Sequence, residues 1–286
     1  MAPDAQWIAA KIFDDGGAAT AAAIHSAFQW ALDPDGDPGT ADTPNVVNNS
    51  WNLASGGCDL EFELDLQALR AVGILPVFAA GNAGPSSGTS RSPANNPSAL
   101  AVGNTDSDAI YFESSRGPSS CGEAETVFPE LVAPGVDITS TDLYGLYTSA
   151  TGTSLAAPHV SGALALLLSA YSVLDALSQQ EALLNAATDL GAAGADNDYG
   201  YGRLDILAAY QWLQENGSPT PTATPIPLEN LALGKPVTVS SFESAYGGDM
   251  AVDGDDGSEW HTKRARGKWS GLRINHHRVE RRVNLR

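Results

Sequence analysis

The chain has 286 residues, 43% apolar and 17% charged, which is room for one or two domains with a packed core and excludes a largely disordered polypeptide. Its 34 acids and 15 bases give a net charge of −19, and residues 263–286 hold nine of the bases and one acid. The preceding 262 residues therefore carry six bases and 33 acids, a net of −27, a charge that repels phosphate backbones and excludes nucleic acid as a partner of the main body.

No run of about twenty apolar residues marks a membrane span, and the opening MAPDAQ lacks the basic and apolar segments of a signal peptide. Residues 7–13 (WIAAKIF) read as a strand. Ile24, Phe28 and Leu32 recur at helical spacing, so residues 20–32 form an amphipathic helix, and 33–43 (DPDGDPGTADT) form a turn-rich loop. A strand is expected at 46–51, a helix at 60–71, a buried strand at 74–80 and short strands at 98–103 and 130–135. The apolar stretch 155–171, broken by Pro158, His159 and Ser161, reads as a buried helix, with another at 178–187. Strands alternating with helices predict an α/β fold: a parallel sheet with helices on both faces. Residues 218–227 (SPTPTATPIP) contain four prolines and mark a stiff linker. The texture then turns β from Leu231. The final 24 residues alternate too poorly for a clear strand. Cys58 and Cys121 could pair in an oxidising compartment, but the sequence does not show that they meet.

Three segments could carry chemistry. Gly152-Thr153-Ser154-Leu155-Ala156-Ala157-Pro158-His159-Val160-Ser161-Gly162 brings Ser154 through a small-residue turn to the start of an apolar helix. Free N–H groups and the positive helix end can stabilise an oxyanion there, although an ordinary helix-capping serine has the same look. Ala156 rules out a Gly-x-Ser-x-Gly elbow. Ala80-Gly81-Asn82 ends a buried strand, where open parallel sheets place ligands. The Asn82 amide could donate to an oxyanion or simply make a turn. Asn48-Asn49-Ser50-Trp51-Asn52 turns polar as its strand ends, offering backbone groups to an extended peptide.

In this order the three segments resemble the subtilisin-like serine proteases, with the texture of bacillopeptidase F-like members, from about residue 2 to Trp212. The resemblance implies a subtilisin-like sheet and an extracellular peptidase acting on protein or peptide substrates. Ser154 would be the nucleophile and Asn82 the side-chain oxyanion donor beside the Ser154 N–H. Ser50, Trp51 and Asn52 would line the substrate pocket opposite Ala80 and Gly81. The family's Asp-Ser/Thr-Gly and His-Gly-Thr-His motifs, which carry its catalytic aspartate and histidine, do not occur. The chain is therefore expected to be an N-terminally incomplete subtilisin-like domain, inactive by itself. His159 lies five residues beyond Ser154, about 140° round a helix. His25 falls on the Ala-rich helix, and His261, His276 and His277 lie beyond the linker.

The resulting organisation is a peptidase domain at 1–217, a linker at 218–229, a β module at 230–262 and a basic tail at 263–286. Asn230-Leu231-Ala232-Leu233-Gly234-Lys235-Pro236-Val237, with Ala251-Val252-Asp253-Gly254 and Trp260, resembles the opening of a discoidin-type, galactose-binding-like domain. The break after Thr262 is what a shifted reading frame would produce. The implied chemistry needs no cofactor. Calcium is common in both resembled families, but Asp33-Pro34-Asp35-Gly36-Asp37 departs from an EF-hand and reads as a solvated loop, so no metal site is assigned. The rival reading is a non-catalytic secreted surface protein whose β module binds glycans.

Overall fold

The computed structural model describes residues 2–37, 39–122, 126–142 and 144–216, and beyond them only the backbone of three short strands. The described residues fall into two compact units, the first holding the main sheet and its helices. In that sheet, β1 (Val46–Asn49), β2 (Leu75–Ala79), β3 (Leu100–Asp106) and β5 (Leu131–Pro134) run parallel in that spatial order. The short β4 (Ala109–Ile110) turns back antiparallel on the end of β3.

Side-chain alternation along the buried strands builds two cores. Leu75, Val77, Ala79, Leu100 and Val102 face one cluster, while Phe78, Ala80 and Ala101 face the other. The first is covered by α3 (Thr153–Ala170), α4 (Ala176–Asn185) and α5 (Ile206–Glu215). Ala156, Ala157, Val160, Ala163, Leu164 and Leu167 give α3 its buried stripe. α3 is also long and apolar enough to cross a membrane, yet that stripe packs on the sheet. The second core is covered by α1 (Ala21–Leu32) and α2 (Glu63–Ala71). α1 begins where Thr20 Oγ1 accepts the Ala23 N–H at 3.2 Å and buries Ile24, Phe28 and Ala31, one turn apart. Helices on both faces of a parallel sheet match the expected architecture.

Four features differ from the sequence reading. Residues 7–13 form no strand, and Trp7, Ile8 and Phe13 are exposed; an extended segment becomes a strand only when a neighbour meets its backbone groups, and none of the described strands pairs with it. α5 is an element the reading did not separate from the chain around it. Residues 138–150 form a two-stranded sheet, β6 (Ile138–Thr141) and β7 (Tyr147–Ala150), whose mostly exposed residues give little period-2 signal. The basic tail contains two strands, β9 (Gly271–Asn275) and β10 (Arg278–Arg281), which with β8 (Trp260–His261) before the tail form an antiparallel sheet in the order β8–β9–β10. The linker and the discoidin-type opening lie outside the described residues, save for the β8 backbone. Cys58 and Cys121 are joined in a disulfide.

Candidate active site

Ser154 is the second residue of α3, half-buried. The turn before it depends on Gly152, whose φ of 148° is one that side chains rarely adopt. The Gly152 N–H is held by Gly135 O at 2.8 Å. At this position the Ser154 N–H has no intrahelical acceptor and lies at the positive end of the helix. Four residues on, Pro158 has no N–H to offer the Ser154 carbonyl. Ser50 Oγ takes that role, donating to Ser154 O at 2.9 Å, while Ser154 Oγ makes a longer bond to Ser50 O at 3.4 Å. Segments 104 residues apart are thus clasped backbone to side chain in both directions.

Asn82 stands exposed beyond the C-terminal end of β2. Its Oδ1 accepts from the Thr153 N–H at 3.0 Å and from Thr153 Oγ1 at 3.1 Å. Thr153 Oγ1 in turn accepts the Gly81 N–H at 3.2 Å. With the carbonyl oxygen committed twice, the amide group is the end of the side chain available to a ligand. Nδ2 lies 3.1 Å from where a Cβ on Gly152 would stand, so the amide lies against the serine turn.

Ser50, Trp51 and Asn52 run on from β1 opposite Ala80 and Gly81. Asn52 Nδ2 lies 3.5 Å from the point where a Cβ on Gly81 would stand. The Trp51 ring packs edge-on against Phe62 (5.9 Å, 87°) and Phe78 (5.7 Å, 70°), and its indole N–H reaches Asn49 Oδ1 at 3.2 Å. Ala80 is buried in the second core, with its N–H on Val102 O at 3.0 Å. Two residues that the motifs did not single out complete the arrangement: Thr153, which holds Asn82, and Arg91, whose Cδ lies 3.7 Å from the Gly81 Cβ position.

Neither histidine with a described side chain hydrogen-bonds Ser154. His159 Nδ1 bonds Leu155 O at 2.8 Å, one turn back along its own helix. His25 bridges α1 to the start of α2, with Nδ1 on Asp65 Oδ2 at 2.7 Å and Nε2 on Glu61 Oε1 at 3.2 Å. Hydrogen bonds to Glu61 and then Asp65 hold its pKa above the ordinary 6.5. The side chains of His261, His276 and His277 lie outside the described residues. In the 33–43 loop the carboxylates of Asp33, Asp35 and Asp42 approach within 4.8 Å of one another, whereas Asp37 Oδ1 accepts the Gly39 N–H.

A serine entering a core helix at the carboxyl edge of a parallel sheet, with an asparagine amide beside it, is an arrangement of the serine-hydrolase class. The sequence model of the Subtilase family matches residues 1–202, and the chain belongs to that family. It is 38% identical over 225 residues to Bacillopeptidase F of Bacillus subtilis (strain 168), covering 73% of this chain and 15% of that protein. It is 37% identical over 214 residues to Subtilisin DY of Bacillus licheniformis, covering 74% of this chain and 70% of that protein. Among solved structures, the Prenylagaramide maturation protease PagA is similar with a TM-score of 0.56 and 27% identity, over 71% of each chain.

Proposed function

We propose that these residues carry the nucleophile and oxyanion half of a serine endopeptidase. Ser154 Oγ attacks the carbonyl carbon of a peptide bond, the carbonyl oxygen takes the electron pair, and Asn82 Nδ2 and the Ser154 N–H donate to that oxyanion. Collapse of the tetrahedral intermediate expels the amine and leaves an acyl ester on Ser154, which water then hydrolyses. The observation that carries this reading is the Thr153 clasp on Asn82 Oδ1, which leaves the amide free beside the serine turn. Strand-like pairing along 50–52 would hold the substrate backbone, so proteins and peptides are the substrate class. The steps need no metal ion. Cys58–Cys121 suits an oxidising, extracellular setting.

The proton on Ser154 Oγ needs an acceptor, and neither described histidine side chain offers one. Removing the base from a subtilisin lowers kcat by about 10⁶. Among the described residues no base reaches Ser154, so the chain by itself is expected to be inactive. The test is hydrolysis of a chromogenic peptide amide by the purified chain and by Ser154→Ala. Equal, near-background rates are expected. Ser154-dependent turnover near 1 s⁻¹, the low end for ordinary enzymes, would overturn the proposal.

A further inference from the structure

A cation stands beside Gly81, near the Ser50–Asn52 segment. Gly81, at φ 106°, faces a point that a Cβ would place 2.9 Å from Ser115 Oγ, 3.5 Å from Asn52 Nδ2 and 3.7 Å from Arg91 Cδ. Three separate stretches of chain thus converge on one wall. The Arg91 stretch is fixed to the Ser50–Asn52 side: Ser92 O accepts the Leu53 N–H at 2.8 Å, and Arg91 Nη1 donates to Ala54 O at 2.6 Å. That is one of five guanidinium N–H donors; the other four have no hydrogen bond among the described residues. Ser115 Oγ accepts the Ala83 N–H at 3.1 Å and keeps its own proton to donate.

The charge setting makes Arg91 stand apart. Residues 1–262 hold only six bases against 33 acids. Lys11, Arg116 and Arg203 are salt-bridged to Asp15, Asp198 and Asp108, and Arg70 lies in the field of Glu130, Glu63 and Asp175. Arg91 forms no ion pair among the described residues, although acids outnumber bases several-fold.

We propose that Arg91, with the Asn52 amide and the Ser115 hydroxyl, makes this cleft select an acidic side chain, Asp or Glu, on the residue whose carbonyl Ser154 addresses. The inference rests on reading the space between Ser50–Asn52 and Ala80–Gly81 as the primary substrate pocket. A carboxylate entering it meets the amide, hydroxyl and guanidinium donors and forms charge-assisted hydrogen bonds with the guanidinium. An apolar side chain desolvates the cation without a partner, and a lysine is repelled.

Blocked tetrapeptide amides differing only in the last side chain (Glu, Leu or Lys) test this by binding, which needs no catalytic base. The readout is the Asn82 and Ser154 amide signals of the isotope-labelled full chain. The Glu peptide should bind about tenfold tighter than the Leu peptide, the discrimination expected of one charge-assisted contact, and tighter still than the Lys peptide. The preference should shrink between about 50 mM and about 500 mM salt. Arg91→Glu should reverse the order in favour of Lys, and Arg91→Lys should retain part of the preference for Glu. Equal binding of Glu and Leu by the native chain, or an unchanged ranking in a folded Arg91→Glu variant, would overturn the role of Arg91 alone. Should that variant fail to fold, the salt dependence of the native chain decides. If no peptide moves either amide signal, the pocket reading itself fails and takes the inference with it.

Discussion

Asn82 is fixed through one end of its amide, and the other end is free for the proposed oxyanion. Its Oδ1 satisfies the Thr153 N–H at the start of α3, a donor the helix itself cannot pair, so the residue caps that helix. Asn82→Ala should lower stability by about 1 kcal/mol, the usual cost of a lost cap, as measured by urea unfolding, and the Ser154 amide signal should shift as the turn relaxes. An unchanged urea midpoint would show that the clasp contributes nothing. The Ser154 and Asn82 segments stood out in the sequence as short runs, each open to a plainer reading, and the resemblance of the three segments together supplied their expected roles. The hydrogen bonds of Thr153 and Arg91 reach partners 71 and 37 positions away, a spacing no local pattern encodes.

At the scale of elements, α1 and α2 were legible from their apolar spacing, and β2 from its unbroken buried run. The segment 7–13 has the same apolar texture and is not a strand, because strand character belongs to a pair rather than to a segment. Between α1 and α2 lies a pH-sensitive clamp, His25 held by Asp65 and Glu61 and tilted on the Phe62 ring at 5.0 Å. The raised pKa of His25 means that the folded protein keeps this proton where the unfolded chain has lost it. The clamp's contribution is therefore complete below about pH 6.5 and disappears as pH rises through the folded value. Thermal unfolding of the native chain and of His25→Ala should converge above that value and separate below it, with the native chain the more stable. Identical melts at pH 5.5 would contradict the clamp.

Across the whole molecule, the sheet leaves β1 paired only to β2 among the described strands, an open edge of the kind that invites association. The sheet also carries a half-buried acid, Glu130, just before β5. Burial pushes the Glu130 carboxyl from an ordinary 4.5 to about 8, against the pull of the Ala101 N–H that it accepts at 2.7 Å. A folded-state pKa above the unfolded one means that the native state binds more protons in between, so stability falls as pH rises from about 4.5 to about 8. Glu130→Gln keeps the acceptor for Ala101 and should flatten that decline in a series of melts; a parallel decline in both proteins would place its cause elsewhere. The parallel sheet with two covered faces was legible because alternating strands and helices permit little else, whereas β6–β7 lacked the apolar alternation that would announce it. The Ser154 hydroxyl lies at the helix end beside the Asn82 turn, with no histidine hydrogen-bonded to it among the described residues. Intact-mass analysis after incubation with a serine-directed peptidyl phosphonate is the decisive measurement: an unmodified chain is expected, and one adduct per chain located on Ser154 would overturn the proposed inactivity.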